Sequence, residues 1–288
     1  MLKIVDFTGK FDKNAPCVAL LGGFDGLHIG HRVLLEKAKS TGLPVGVMSI
    51  VGGKGEDLFT LSEREEIFRS LGVDFAFETV FERIRTLSPA AFAELMKKSF
   101  TPAAFFCGRD FRFGYGAEGD PEFLERYTRV RVDVSDLLTE GGEKVSSSRV
   151  KELLSAGDAA GAAKLLGRDF FLRGEVVRGR QVGRSIGFPT ANVFYPQGKY
   201  PLKRAVYEAR AEAEGREYKG IVNYGSRPTF DNGQVLTETY LDGFTGDLYG
   251  RTVEIRFVRF LREIRKFASA EELKRQLTTD MERVKNND

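Results

Sequence analysis

Near residue 168 the hydrophobic pattern of this 288-residue chain changes period, and that change limits the possible folds more than any single motif does. Before it, short apolar runs alternate with helical patterns. Cys17–Leu21 reads as a strand, His31–Lys39 as a helix closed by Gly42, and Pro44–Val51 as a second strand. Ser62 with Glu65 suits a capping box ahead of Ile67, Phe68 and Leu71, and Gly72 is the stop. Ser88-Pro89 opens another helix, while Ala103–Cys107 and Arg129–Val134 read as further strands. Strands alternating with helices predict a parallel sheet covered on both faces, a Rossmann-like α/β domain. From Phe170 onward the runs are short and β-like: Glu175–Arg178, Ala205–Ala213, Tyr218–Asn223, Val235–Leu241 and Thr252–Phe260. Turn chemistry at Glu214-Gly215, Asp231-Asn232-Gly233 and Thr245-Gly246-Asp247 predicts a small antiparallel barrel. A last helix starts at Ser269, with Glu272 as the reciprocal cap residue, and runs through Leu273 and Leu277. The expected domains are 1–168 and 169–288, with a boundary near Gly167 reached through the helical stretch Asp158–Leu166.

Composition narrows the function classes. With 42% hydrophobic and 30% charged residues there is enough apolar side chain for two cores. The 44 Lys and Arg against 41 Asp and Glu give no basic field for nucleic acid, so a nucleic-acid partner is not expected. The longest uncharged stretch, Ser40–Gly53, falls short of the roughly 18 apolar residues of a membrane span, and Met1–Gly9 lacks a signal-peptide core. Two cysteines and two histidines exclude a disulfide framework and a closed zinc site, which points to the cytoplasm.

The strongest local signal is Gly22-Gly23-Phe24-Asp25-Gly26-Leu27-His28-Ile29-Gly30-His31, placed where the first strand gives way to the first helix. Glycines let the backbone approach a phosphate, and the helix presents unpaired N–H groups to an anion. His28 and His31 can both donate hydrogen bonds to phosphoryl oxygens. The blander alternative makes His28 a helix cap and His31 a surface residue, but both of the chain's histidines fall here. The segment resembles the HxGH nucleotidyltransferases, and specifically the adenylyltransferase half of bacterial bifunctional FAD synthetases. The resemblance implies nucleotide contacts at Gly22, Gly23, Phe24, Asp25, Gly26 and Gly30, with His28 and His31 as catalytic groups. It also makes Val145-Ser146-Ser147-Ser148-Arg149-Val150-Lys151 a late phosphate-holding signature through Ser146, Ser147, Ser148 and Lys151; an ordinary N-cap is the alternative. In Gly108-Arg109-Asp110-Phe111-Arg112-Phe113-Gly114 it implies flavin contacts at Asp110, Phe111 and Phe113, although aromatics after a strand are often core. The chain departs from the family at Ser148, where Thr is usual, and at Lys151, where Arg is usual. Where the family has a Pro-His-Pro loop, this chain has Ser49-Ile50-Val51-Gly52-Gly53-Lys54-Gly55, with Lys54 as a substitute positive charge.

A second Gly-rich stretch, from Arg173 to Asn192, contains no Gly-Lys-Ser/Thr and is not a Walker loop. It resembles the riboflavin kinase signature, as do Asn223-Tyr224-Gly225-Ser226-Arg227-Pro228-Thr229 and Glu238-Thr239-Tyr240-Leu241-Asp242, in order and spacing. That resemblance implies nucleotide contacts at Gly183, Arg184, Gly187, Phe188 and Pro189, oxygen ligation of Mg2+ by Thr190 and Asn192, and flavin contacts at Asn223 and Arg262. Phosphorylating a primary alcohol requires a carboxylate that accepts the hydroxyl proton, and Glu238 is the candidate. The implied chemistry converts riboflavin and ATP to FMN in the second half, and FMN and ATP to FAD and pyrophosphate in the first. The partners would be these small molecules, and no membrane. The alternatives are a kinase with an impaired transferase, and a non-catalytic flavin-binding regulator.

Overall fold

The computed structural model describes residues 2–6, 16–53, 55–179, 182–226 and 235–286. Lys54, the expected turn at Asp231-Asn232-Gly233 and the Arg227-Pro228-Thr229 part of the second kinase motif lie outside the described residues. The chain divides into two compact units, Met1–Ser147 and Ser148–Asp288.

In the first unit, strands β1 (Lys3–Asp6), β2 (Cys17–Leu21), β3 (Val45–Val51), β4 (Phe75–Val80), β5 (Pro102–Gly108) and β6 (Val132–Ser135) form one sheet in the order β1-β4-β3-β2-β5-β6. Every pairing is parallel. Helices α1 (Ile29–Lys39), α2 (Leu61–Ser70), α3 (Phe81–Ile84), α4 (Pro89–Phe100) and α5 (Pro121–Thr128) make the crossovers, and a hairpin of β7 (Thr139–Glu140) and β8 (Glu143–Lys144) follows β6. Cys17–Leu21 is buried along its whole length, as a central parallel strand requires. Under it the Phe77 and Phe100 rings pack tilted with their centres 4.0 Å apart, and a Cβ on Gly46 would come within 2.8 Å of Phe77, so glycine is needed at that crossing. The capping box of α2 is Thr60 with Glu63, two residues before the expected pair. Both pairs satisfy the spacing, but Thr60 has the extended backbone of a cap (φ −62°, ψ 164°). Arg129 is the left-handed end of α5 (φ 59°) rather than the start of a strand, so β6 begins at Val132. From β2 the order runs outward through β3 and β4 on one side and through β5 and β6 on the other. The C-terminal ends of β2 and β5 are therefore the point where the connection changes direction, the usual place for a ligand crevice in an open α/β sheet.

The second unit begins within α6 (Ser147–Ala156), which with α7 (Ala159–Leu166) leads into a closed antiparallel barrel of β9 (Phe170–Val177), β10 (Thr190–Phe194), β11 (Ala205–Ala213), β12 (Arg216–Ser226), β13 (Leu236–Leu241) and β14 (Thr252–Arg262). The short helix α8 (Val182–Ser185) lies between β9 and β10, and α9 (Ala270–Lys285) closes the unit. Ser269 caps α9, while the Glu272 carboxylate accepts from the N–H of Ala268 at 2.9 Å, one residue before the cap. Met281 and Val284 on α9 pack against Val206 and Ile221 of the barrel. Arg262 fixes the helix through Asp280, a fully buried carboxylate that accepts from Nε and Nη2, the latter at 2.8 Å.

Candidate active sites

In the first unit the chain leaves β2 through a backbone held by burial. Phe24 and Leu27 take left-handed φ values (42° and 43°), uncommon for such residues, while their side chains are both 1% exposed. A Cβ on Gly23 would meet nothing within 4 Å, so that stretch of backbone is open to a ligand, whereas Gly22 faces the Phe24 ring and Gly26 is buried. His28 is the N-cap of α1, and its Nδ1 accepts from the N–H of His31 at 3.3 Å. The two imidazoles stack at 3.7 Å, Phe24 lies 4.5 Å from the His31 ring, and a Cβ on Gly30 would press on the His28 ring at 3.2 Å. Burial pushes His28 down to about 4, partly opposed by nearby Asp110, and burial together with His28 holds His31 well below its usual value. Both rings are thus neutral at pH 7. With Nδ1 accepting, the proton of His28 sits on Nε2 and leaves one N–H to donate.

Several expected residues take other partners here. Asp25 turns from the loop backbone to the connection after β3: its Oδ1 accepts from the Leu58 N–H at 2.7 Å and from Arg64 at 3.1 Å. Phe111 and Phe113 lie in the core beneath the sheet with Phe92 and Leu124, their rings 5.5 Å apart. Of the three residues expected at the flavin, Asp110, ion-paired with Lys144, is the one left outside that core. Ser146 and Ser147 close the first unit and Ser148 begins the second, where Lys151 Nζ lies 5.2 Å from the centre of the Tyr200 ring.

In the barrel, pairing brings three predicted residues into one row. Asn192 on β10 is opposite Glu238 on β13, which is opposite Asn223 on β12. Cross-strand partners share a face, so the half-buried carboxylate stands between two amides, with Asn223 Nδ2 donating to Glu238 Oε2 at 3.5 Å. The amide oxygens of Asn192 and Asn223 are buried and have no hydrogen-bond partner. Beside the row opens a cavity of about 470 Å³, lined by Arg184, Pro189, Thr190 and Asn192 and walled by Leu241, Phe244 and Tyr249. Gly183 shapes its approach: its carbonyl accepts from the Phe188 N–H at 2.8 Å, and a Cβ there would come within 2.2 Å of the Phe188 carbonyl oxygen. Gly187 takes the left-handed φ of 87° that closes this turn. The Phe188 ring packs on Tyr240 at 4.7 Å. Arg262, expected at the flavin, instead spends its guanidinium on Asp280.

The comparisons with known proteins agree with this division. The family model for riboflavin kinase matches residues 166–287 and that for FAD synthetase matches residues 10–149. A bifunctional riboflavin kinase/FMN adenylyltransferase from Pseudomonas fluorescens is 33% identical over 92% of this chain and 91% of its own length. Its counterpart from Escherichia coli (strain K12) is 34% identical, over 92% and 90%. The chain belongs to the bifunctional riboflavin kinase/FMN adenylyltransferase family. A crystal structure described as a macrolide-efflux protein from Streptococcus pneumoniae superposes with a TM-score of 0.87 at 26% identity, covering 100% of this chain and 99% of that one. Among the described residues of this family member, no helix is long and apolar enough to cross a membrane.

Residues that local sequence did not single out also build these sites. Gly179 lies against the Asn192 side chain, where a Cβ would come within 2.7 Å of Nδ2. Arg178 lies 5.5 Å from the centre of the Tyr249 ring, joining the Gly-rich stretch to the 244–249 wall. In the first unit Arg64, 1% exposed, joins Asp25 to Asp57 at 2.8 Å and to the carbonyls of Ile50 (2.8 Å) and Phe59 (3.1 Å). A run of charges at the start of a helix carries no sign of such burial, and only the distant carboxylates could have suggested it.

Proposed function

We propose that this chain carries out both activities in its relatives' name, with residues 169–288 phosphorylating riboflavin to FMN and residues 1–168 adenylylating FMN to FAD. The observation that carries the kinase reading is the Asn192–Glu238–Asn223 row beside a cavity lined in part by Arg184. Glu238 accepts the proton of the ribityl 5′-hydroxyl as that oxygen attacks the γ-phosphorus of ATP, and ADP departs. Asn223 orients the carboxylate. The flavin contact expected of Arg262 becomes a positioning role through Asp280 and α9. Gly183, Arg184, Gly187, Phe188 and Pro189 form the nucleotide's path.

Magnesium fits this set. The Asn192 amide oxygen is buried without a partner, Thr190 is beside it on the same strand, and hard oxygen donors suit that ion. Among the described residues no cluster of His, Cys, Asp and Glu would compete for a softer metal. Thr190 and Asn192 would hold the ion, and its charge would offset that of the nucleotide phosphates.

In the first unit the open backbone at Gly23 and the N-terminus of α1 receive the triphosphate of ATP, with Ser146 and Ser147 as further phosphate contacts. An oxygen of the FMN phosphate attacks the α-phosphorus and pyrophosphate leaves, while the neutral His28 Nε2–H donates to the developing charge. The buried thiols Cys17 and Cys107, pushed up to about 12 by burial, suit a reducing cytoplasm. Chromatography of products from riboflavin and excess Mg-ATP tests the scheme. FMN should appear first and FAD after it; FMN without FAD sinks the transferase half, and neither product sinks both. Glu238→Gln should lower the kinase kcat by about 10²- to 10⁴-fold, and a variant with wild-type kcat removes Glu238 from the role of base.

A further inference from the structure

Thr239 follows Glu238 on β13 and faces the opposite side of the strand. Two residues earlier, Thr237 has the same orientation and is fully buried, and its hydroxyl donates to the Val193 carbonyl at 2.8 Å. Thr239 is equally buried, at 1% exposure, yet its Oγ1 has no hydrogen-bond partner. The strands on either side explain the contrast. Thr239 pairs with Ala191 on β10 and Val222 on β12, neither of which has a polar side chain to offer. Thr239 also lines the 470 Å³ cavity, at the end of the barrel where β9 and β13 finish and β10 starts. A buried hydroxyl without a partner destabilises the free protein, whereas an apolar isostere such as valine does not. The cavity next to it is lined by the polar groups Arg184, Thr190, Asn192 and Asp247 together with Leu241, Phe244 and Tyr249, a mixture that suits a nucleotide, with polar partners for its phosphates and apolar and aromatic surface for its base.

We infer that the Thr239 hydroxyl is an additional nucleotide contact, donating to an oxygen of the bound adenine nucleotide and finding there the partner it lacks in the free protein. Thr239 is a binding residue that works beside Glu238 without taking part in proton transfer. The inference rests on reading this cavity as the nucleotide site of the kinase, and it has a consequence that an ordinary core threonine would not have: removing the hydroxyl strengthens the free protein and weakens the complex.

The test uses the full chain as wild type, Thr239→Val and Thr239→Ser. MgADP binding is followed by hydrogen exchange in peptides covering residues 236–249, which reads this cavity without turnover, and the KM for ATP is measured in FMN formation. Thr239→Val should melt about 2 to 4 °C higher without ligand. It should bind MgADP about three- to tenfold more weakly, the equivalent of one hydrogen bond of about 0.6 to 1.4 kcal/mol. Its KM for ATP should rise in step at nearly constant kcat, and Thr239→Ser should bind as wild type does. Valine binding within twofold of wild type, serine binding as weakly as valine, or a lower valine melting temperature would each overturn the assignment. Wild-type protein showing no MgADP protection in 236–249 would defeat the nucleotide reading of the cavity itself, a result separate from any effect of the substitutions.

Discussion

Replacing Arg64 by methionine removes the guanidinium while keeping much of its apolar volume. In the wild type that group is 1% exposed and meets Asp25 at 3.1 Å, Asp57 at 2.8 Å and the carbonyls of Ile50 and Phe59 at 2.8 and 3.1 Å. Deleting one side of a buried ion pair costs about 3 to 5 kcal/mol because the charge left behind has no counter-ion. Here two carboxylates are left behind, but each keeps some solvent, with side-chain exposures of 14% for Asp25 and 13% for Asp57. The lower figure therefore applies, about 3 kcal/mol. Lysine at this position keeps the charge but cannot reach four acceptors, so it should recover only part of the loss. Because Asp25 belongs to the loop proposed to receive the triphosphate, the damage should be selective. FAD formation from FMN and ATP should fall at least about tenfold, since loosening a phosphate loop by about 1.4 kcal/mol already gives that factor, while FMN formation from riboflavin stays within twofold of wild type. Hydrogen exchange in peptides from residues 17–30 and 50–70 should accelerate. Unchanged FAD formation, or an equal fall in both activities, would refute the idea that Arg64 positions the loop of the first site.

Glu78, half-buried on β4, has its carboxyl pushed up to about 7 by burial and by neighbouring Glu65, against a lowering by Arg64. A raised acid is at no disadvantage below about pH 4.5 and destabilises the fold progressively as pH rises towards 7, so Glu78→Gln should stabilise the first unit by about 2 kcal/mol at pH 8 and by almost nothing at pH 4.5. Denaturant unfolding at the two pH values checks this, and a gain at pH 4.5 as large as that at pH 8 would rule out titration as the cause. Gly179→Ala puts a methyl group within 2.7 Å of the Asn192 amide. Kinase kcat/KM should fall about tenfold or more, for a displacement costing about 1.4 kcal/mol or above, with adenylylation of supplied FMN unchanged; kinetics equal to wild type would show that Asn192 does not depend on that contact.

How far the sequence could be read depends on whether a residue's environment is made by its neighbours in the chain. Cys17–Leu21 was legible end to end because five apolar residues in a row, stopped by Gly22-Gly23, are the length of a strand buried on both faces and too short for a helix. The strand Phe75–Val80 was missed because Glu78 and Thr79 interrupt its apolar run, and for Thr190–Phe194 the sequence offers no more than an edge-strand start, because Pro-Thr-Ala-Asn has the composition of a turn. Barrel closure supplies what that composition lacks, since Asn192 becomes 3% exposed only once β13 and β9 flank it. Phe111 and Phe113 show the opposite case, a core position that their own turn does not announce. A glycine-flanked aromatic turn after a strand suits a ligand-stacking loop, and only Phe92 and Leu124, from helices on either side of it in sequence, show that the rings belong to the core. Arg64 reads as one charge in a solvated helix turn until Asp25, 39 residues earlier, is brought against it. His28 belongs to both categories. Its cap bond to the His31 N–H fixes the ring and leaves Nε2–H to donate, so the structural role would set up the proposed catalytic one. Helix cap and phosphate ligand, posed from sequence alone as alternatives, are therefore compatible roles, because capping through Nδ1 leaves the proton on the other nitrogen.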